Sequence, residues 1–144
     1  MLLGIDFDNT IVCYDGIFHR IALEQDLIPK GLATSKDAVR NYLRDDGRED
    51  EWTKMQGLVY GSKMDSCMPY PGVLDFFHFC KETEIPLFII SHKTRHPFMG
   101  EKYDLHKAAY SWLENQRFHD SENGGIERNR VFFETTKEQK IERI

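Results

Sequence analysis

Three short apolar runs, the first two separated by a stretch with helical spacing, set the pattern of this chain. Residues 2–5, 87–90 and 131–133 are apolar with little alternation, which is typical of strands buried on both faces of a parallel sheet. Between the first two runs, residues 73–80 place apolar side chains at i, i+3, i+4 and i+7, the spacing of an amphipathic helix. Because a helix between two strands usually joins parallel neighbours, the pattern predicts a three-layer α/β core around a parallel sheet.

A polar segment, residues 15–70, interrupts this pattern with helical spacing and without a good strand. Ser35 is a candidate N-cap for one of its helices. Residues 69–72, Pro-Tyr-Pro-Gly, mark the return to the α/β pattern. We therefore expect a small helical cap over residues 15–70, inserted into a core formed by residues 1–14 and 71–144.

The final residues have the spacing of a last helix. The threonine pair at residues 135–136 is suited to begin it, and Lys137 and Lys140 lie in its first turns. Ile141 and Ile144 are spaced like an apolar stripe, so we expect this helix to face inward through them.

Two carboxylates, Asp6 and Asp8, follow the first apolar run, with Phe7 between them. Residues two apart in a strand share a face, and ligands of parallel sheets bind at the carboxyl ends of the strands. Both acids should therefore point into one crevice, while Phe7 packs the other way. At about 5 Å and an effective dielectric constant of about 20, the two charges repel by roughly 3 kcal/mol. This cost predicts a bound cation, a raised pKa on one acid, or both.

The amino-acid composition argues against some classes of binding partner and cellular location. The net charge of −5 argues against non-specific affinity for nucleic acid or an anionic membrane. The three cysteines are widely spaced, contain no metal-ligand pair and suit a reducing compartment. No stretch approaches the roughly 20 apolar residues that cross a bilayer, and the N-terminus lacks the pattern of a signal peptide. We therefore expect a cytoplasmic protein without a membrane or nucleic-acid partner.

The other two predicted strands lead to groups that suit phosphate. The second strand ends at Ser91 and runs directly into the basic residues 92–96, and the third precedes Lys137 and Lys140. A carboxylate can attack phosphorus, and a second acid can move the proton. Hydroxyl, main-chain N–H and ammonium donors can hold the phosphoryl oxygens. The combination favours phosphoryl transfer.

These residues resemble, in the same order, the motifs of the haloacid dehalogenase superfamily. Residues 6–10, Asp-Phe-Asp-Asn-Thr, resemble its first motif, D-x-D-x-T; the apolar strand ending at Ser91 resembles its second; and a lysine at a helix start resembles its third. A second aspartate in the first motif favours phosphatases over dehalogenases in that family. The resemblance covers most of the chain apart from residues 15–70. It implies a Rossmann-like core with a cap between the first and second motifs, where caps commonly select substrate and exclude water.

The resemblance also implies a role for each matching residue. Asp6 is the expected nucleophile, which forms an aspartyl-phosphate, and Asp8 is the expected general acid/base. Thr10 is expected to support the loop, and Ser91 to bind the phosphoryl group.

Basic residues complete the expected phosphate site. For the third-motif lysine we prefer Lys137 over Lys140, because apolar helix positions follow Lys137 at +4 and +7. Four residues after the second motif could bind the rest of an anionic substrate: His92, Lys93, Arg95 and His96. A solvated basic loop is an equally simple interpretation of this segment.

Magnesium is the cofactor that the resemblance implies, with Asp6 and the main-chain carbonyl of Asp8 as its ligands. Relatives add acids after a further strand, a fourth motif, whereas this sequence stops before such a strand and in mid-helix by its pattern. Three interpretations follow: a continuation beyond this sequence, a site completed by other acids, or an inactive relative.

The expected activity is magnesium-dependent hydrolysis of a small phosphate monoester through phospho-Asp6. Two alternatives remain open. A phosphotransferase or mutase would use the same intermediate and pass the phosphate to an alcohol. A catalytically silent binding or regulatory module would hold phosphate in the same crevice without hydrolysis.

Overall fold

The computed structural model describes all residues, Met1–Ile144, as a mixed α/β structure. Its strands are β1 (Leu3–Ile5), β2 (Val12–Cys13), β3 (Met68–Pro69), β4 (Leu87–His92) and β5 (Val131–Glu134). Its α-helices are α1 (Ile17–Glu24), α2 (Lys36–Asp45), α3 (Glu49–Tyr60), α4 (Val73–Glu82), α5 (Leu105–Asn115) and α6 (Lys137–Arg143). Short 3₁₀ turns cover Met64–Ser66, Ser121–Asn123 and Arg128–Arg130. None of the helices combines the length and the hydropathy that a membrane span requires.

The main sheet is small and parallel, with the strand order β1-β4-β5. Ile5 of β1 pairs with Ile89 of β4, which in turn pairs with Val131 of β5. The three apolar runs therefore form the predicted strands, and the predicted parallel pairing of the first two is confirmed. Because all three strands point the same way, the residues that follow them meet at one edge of the sheet.

The prediction that the first strand is buried on both faces is wrong. Gly4 is exposed, and Leu3 and Ile5 are only partly buried. The reason is position, because β1 lies at the edge of the sheet and pairs with β4 alone. The central strand β4 has the expected burial, with Leu87 and Ile89 both in the core.

Helices α1, α2 and α3 form the polar segment after the first strand and pack on one another, and α3 also contacts α5. Ser35 caps α2 as predicted, since its Oγ accepts a hydrogen bond from the Ala38 N–H at 3.1 Å. The segment also contains β3, a short strand that its pattern did not predict. The antiparallel pairing of β3 with β2 joins the two ends of the helical segment.

One hydrophobic cluster runs through the sheet and the helical segment alike. Phe7, between the two acids, is fully buried. Its ring meets Trp112 edge-on at 5.5 Å and Phe133 at 5.0 Å. Aromatic pairs in this geometry contribute about 0.5–1.5 kcal/mol each beyond their buried area. Phe7 thereby fixes the backbone between the two carboxylates.

Two glycines let α3 approach the loop that follows β4. A Cβ at Gly57 would lie 2.7 Å from Cβ of Pro97, and one at Gly61 would lie 2.5 Å from Cγ of Tyr103. Real Cβ atoms do not approach that closely, so only glycine fits without a shift of the loop. The helical segment is therefore held close to the loop that carries Lys93.

The last helix begins where the sequence predicted, but the side of the helix that faces the core is not the predicted one. Thr136 caps α6, and its Oγ1 accepts a hydrogen bond from the Gln139 N–H at 3.1 Å. The prediction that Ile141 and Ile144 face inward is wrong, because their exposed fractions are 68% and 82%. The helix instead contacts the sheet through basic side chains, with the Arg143 guanidinium 4.0 Å from the centroid of the Phe132 ring.

Candidate functional site

The carboxyl ends of β1 and β4 and the helix α6 bring three polar side chains together. Ser91 Oγ donates a hydrogen bond to Asp6 Oδ1 at 2.7 Å, and the Phe7 N–H donates to the same oxygen at 2.9 Å. Lys140 Nζ lies 3.2 Å from the other oxygen, Asp6 Oδ2. Each carboxylate oxygen of Asp6 therefore has a donor, which fixes the direction of the group.

Asp6 is nevertheless accessible, with 44% of its side chain exposed. A cavity of about 540 Å³ opens beside it and is also lined by Thr10, Ile11, Pro71 and Phe76. This volume lies in the range of small-molecule sites. The Asp6 carboxylate is thus held by hydrogen bonds and an ion pair, and it also borders an open cavity.

Asp8 lies deeper and is held by different residues. Lys93 Nζ lies 3.0 Å from Oδ2 and 3.2 Å from Oδ1, and the Tyr14 hydroxyl donates a hydrogen bond to Oδ1. The Lys93 side chain is only 3% exposed, whereas that of Asp8 is 21% exposed. A buried ion pair of this kind fixes orientation, because each group becomes costly to bury if the other is removed.

The Lys93 backbone is fixed in turn by α5 and β5. Nε2 of His106 lies 2.6 Å from the Lys93 carbonyl oxygen, and the Lys93 N–H donates to the Glu134 carbonyl at 2.8 Å. His106 is buried against the ring of Phe133. The basic residue that directly follows β4 is therefore part of the core and not of a solvated loop.

The repulsion between the two acids is offset inside the protein. The sequence predicted a bound cation, a raised pKa on one of the two acids, or both. In the structure each carboxylate has an ammonium partner, Lys140 for Asp6 and Lys93 for Asp8. The chain's own cations thus supply the compensation that the carboxylates need.

Two tyrosines beside Asp8 stay protonated at neutral pH. Burial raises the pKa of Tyr14 well above its ordinary value, and the charge of Asp8 and the hydrogen bond to it act in the same direction. Burial, followed by the Asp8 charge, also raises the pKa of Tyr60. Both phenols therefore remain hydrogen-bond donors in the working pH range. Burial likewise raises the pKa of the neighbouring Cys67 thiol to about 12, so this cysteine is not an activated nucleophile.

The preference for Lys137 over Lys140 is reversed by the structure. Lys137 is the first residue of α6 and is exposed, whereas Lys140, one turn later, reaches Asp6. The +4 and +7 spacing that favoured Lys137 assumed an inward face through Ile141 and Ile144. Because that face points to solvent, the face that carries Lys140 meets the site.

The remaining predicted residues lie around this centre with different exposure. Thr10 is exposed and lines the cavity, and its N–H donates to the Phe7 carbonyl at 3.3 Å within the turn after β1. His92 is exposed and makes no hydrogen bond or ion pair with either aspartate. Sequence reasoning missed Tyr14 and His106. Two features of the sequence could have indicated them: Tyr14 is only six residues after Asp8, and His106 lies next to the buried stripe of α5.

The oxygen donors of the site fit a magnesium ion bound mainly through water and phosphate. Asp6 offers an accessible carboxylate, and the main-chain carbonyl of Asp8 accepts no hydrogen bond from its loop. No group of three or more histidine, cysteine, aspartate or glutamate side chains converges in the structure. Magnesium commonly uses one or two carboxylates together with waters and substrate phosphates, and Asp6 and Asp8 could supply that share.

Comparisons with protein-family models, with curated proteins and with solved structures found no match for this chain. The chemistry of the site therefore rests on its own contacts. Those contacts are an anchored and accessible carboxylate at Asp6, and a second carboxylate at Asp8 held by Lys93 and Tyr14.

Proposed function

We propose that this protein is a phosphatase of the haloacid dehalogenase type that hydrolyses a small phosphate monoester. The observation that carries the proposal is the convergence of Ser91 and Lys140 on the two oxygens of Asp6. The second acid, Asp8, lies two residues further along the chain. This combination of nucleophile, donors and second acid matches what phosphoryl transfer requires.

In the first step, a carboxylate oxygen of Asp6 forms a bond to phosphorus while the bond from phosphorus to the alcohol oxygen breaks. The departing alcohol oxygen takes a proton from Asp8, which the Asp8 carboxylate gains from solvent or from the water consumed in the preceding turnover. Ser91 and Lys140, which hold Asp6 in the free protein, lie where their donors can also hold phosphoryl oxygens as charge shifts onto them. The product of this step is phospho-Asp6 and the free alcohol.

In the second step, water attacks the phosphorus of phospho-Asp6, and Asp8 takes the proton from that water. The bond between phosphorus and Asp6 breaks, which releases phosphate and restores both carboxyl groups. Lys93 and Tyr14 act on this step by holding Asp8 in one orientation. Magnesium, held by Asp6 and the Asp8 carbonyl, would supply positive charge to the phosphoryl oxygens when bound.

The rest of the chain is proposed to serve this reaction. The sheet and its helices would form a three-layer, Rossmann-like core, and the segment over residues 15–70 would act as a cap. The close packing of Gly57 and Gly61 against the loop after β4 supports this division of roles, since it places the helical segment beside the site.

Replacement of the nucleophile tests the proposal. Asp6→Asn should abolish hydrolysis of a generic aryl phosphate and leave the circular dichroism spectrum unchanged. The matched control is Asp75→Asn, because Asp75 is exposed in α4 and makes no ion pair. Equal turnover by Asp6→Asn and the wild type would refute the assignment.

Two further readouts separate the alternatives. A phosphotransferase or mutase would form a phosphorylated product when an alcohol acceptor is added, at the expense of free phosphate. A silent binding module would bind inorganic phosphate without turnover of any ester, even with magnesium present.

A further inference from the structure

Lys36, the first residue of α2, lies beside the site without a carboxylate partner. Its Nζ donates a hydrogen bond to the Tyr60 hydroxyl at 2.7 Å. The same nitrogen lies 5.4–5.6 Å from the ring centroids of Tyr14, Phe18 and Tyr60. The negative faces of these rings offset part of its charge. None of the ion pairs in the structure includes Lys36, whereas Lys93 and Lys140 each have an aspartate.

This position is costly for a cation. Lys36 is half-buried, and burial lowers the pKa of its ammonium, which the charge of Asp8 only partly offsets. The first turn of a helix also disfavours positive charge. In addition, Lys93 Nζ lies 4.6 Å from the centroid of the Tyr60 ring, so two ammonium groups lie near that ring. A residue that breaks several local rules together is expected at a functional site.

The proposed reaction indicates which part of the substrate would lie toward Lys36. With the phosphoryl group at Asp6 and the leaving oxygen at Asp8, the alcohol portion of the substrate begins at Asp8. Tyr14 contacts Asp8, its ring lies 5.0 Å from that of Tyr60, and Tyr60 contacts Lys36. The two tyrosine rings thus connect the leaving-group position to the unpaired ammonium.

We propose that Lys36 binds a second anionic group of the substrate. The substrate class is then a small phosphate monoester whose alcohol portion carries a further carboxylate or phosphate. This inference rests on the proposed function, because the position of the alcohol portion follows from the role of Asp8. The ion pairs support it, since Asp6 and Asp8 already pair with Lys140 and Lys93, whereas Lys36 has no carboxylate partner.

Three non-hydrolysable probes test the inference by binding alone. Methylphosphonate carries one acidic group, phosphonoacetate adds a carboxylate, and methylenediphosphonate adds a second phosphonate. Affinities are measured by calorimetry on the full chain at one fixed free magnesium concentration. The variants are Lys36→Met, Lys36→Gln and Lys36→Arg, and Lys102→Met is the matched control because Lys102 is exposed.

The wild type should bind at least one of the two-acid probes about tenfold more tightly than methylphosphonate, the size expected for a charge-assisted hydrogen bond. The probe that gains affinity identifies the second group as a carboxylate or a phosphate. Lys36→Met and Lys36→Gln should lose this preference and keep their affinity for methylphosphonate, while Lys36→Arg and Lys102→Met should retain the preference. Lys36→Met should fold at least as well as the wild type, because an apolar group replaces a half-buried charge.

Equal affinity of the wild type for all three probes, or an unchanged preference in both neutral variants, would overturn the inference. Turnover of aryl phosphate without a preference for two-acid probes would leave the phosphatase proposal standing and remove the role of Lys36. The preference without any turnover would remove the phosphatase proposal and leave an anion site at Lys36.

Discussion

Lys140 Nζ lies 3.2 Å from Asp6 Oδ2, so residues from opposite ends of the chain form one ion pair. Asp6 follows β1 at one edge of the sheet, whereas Lys140 belongs to α6, which follows β5 at the other edge. The side chain spans this distance because α6 packs on both β4 and β5. The pair therefore forms only when the three strands are in order, which links the site to the fold.

Lys140 should matter for turnover, and Lys137 should not. We expect Lys140→Met to lower kcat for an aryl phosphate by about 100-fold, the size typical for loss of one donor to developing charge. Lys137→Met is the control on the same helix, because Lys137 is exposed and makes no contact with Asp6. Steady-state kinetics of both variants provide the measurement. An equal effect of the two substitutions would contradict the geometry of α6.

The pair formed by Lys93 and Asp8 should show strong coupling in stability. Lys93→Met leaves a largely buried carboxylate without its cation and should lower the free energy of unfolding by about 3 kcal/mol. Adding Asp8→Asn should restore part of that loss, with a coupling energy of about 1–3 kcal/mol. Urea denaturation of the two single variants and the double variant measures this. Losses that simply add would show that the two groups do not interact in solution.

The tyrosine beside Asp8 should make the fold sensitive to alkaline pH. Because the pKa of Tyr14 is raised in the folded state, its contribution is fully present below its ordinary value of 10.0 and is lost as pH rises above that value. The pKa of Cys67 is raised from 9.0 to about 12, so its contribution to the free energy of unfolding also falls as pH rises above 9. Lys36 has the opposite effect: because burial lowers its pKa, its contribution to the free energy of unfolding rises as pH approaches 10.5 from below.

We therefore expect the free energy of unfolding to fall between about pH 9 and about pH 12. Tyr14→Phe should cost about 1 kcal/mol at neutral pH through the lost hydrogen bond, yet its stability should fall less steeply over the alkaline range. Urea titrations across this range test the difference in slope. Parallel curves for the variant and the wild type would show that Tyr14 does not resist ionisation when folded.

The local sequence pattern was enough to predict the three strands of the main sheet and the meeting of Asp6 with Ser91. Continuous apolar runs indicated β4 and β5, and parallel pairing then brought the ends of the first two strands to one place. Ser35 was recognisable as an N-cap because capping depends on a side chain and the adjacent backbone N–H groups alone.

Features that depend on contacts between distant segments were not predictable in this way. The edge position of β1 depends on which strands surround it, so its partial burial could not be derived from its apolar sequence. The spacing of Ile141 and Ile144 predicted that they form the inward face of α6. Instead, the Lys140 ion pair with Asp6 and the Arg143 guanidinium over the Phe132 ring hold the helix against the sheet. The burial of Lys93 likewise depends on Asp8, Tyr60 and His106.

Trapping of the covalent intermediate would test the role of Asp6 as nucleophile most directly. The protein is mixed with an aryl phosphate that is labelled in its phosphoryl group and whose leaving group departs without a proton from Asp8. The reaction is quenched in acid, and the labelled peptide is identified by mass spectrometry. We expect a hydroxylamine-sensitive label on Asp6 that accumulates in Asp8→Asn, where hydrolysis of phospho-Asp6 is slowed, and that is absent from Asp6→Asn. Release of phosphate with no label on the protein, or a label that persists in Asp6→Asn, would contradict this role of Asp6.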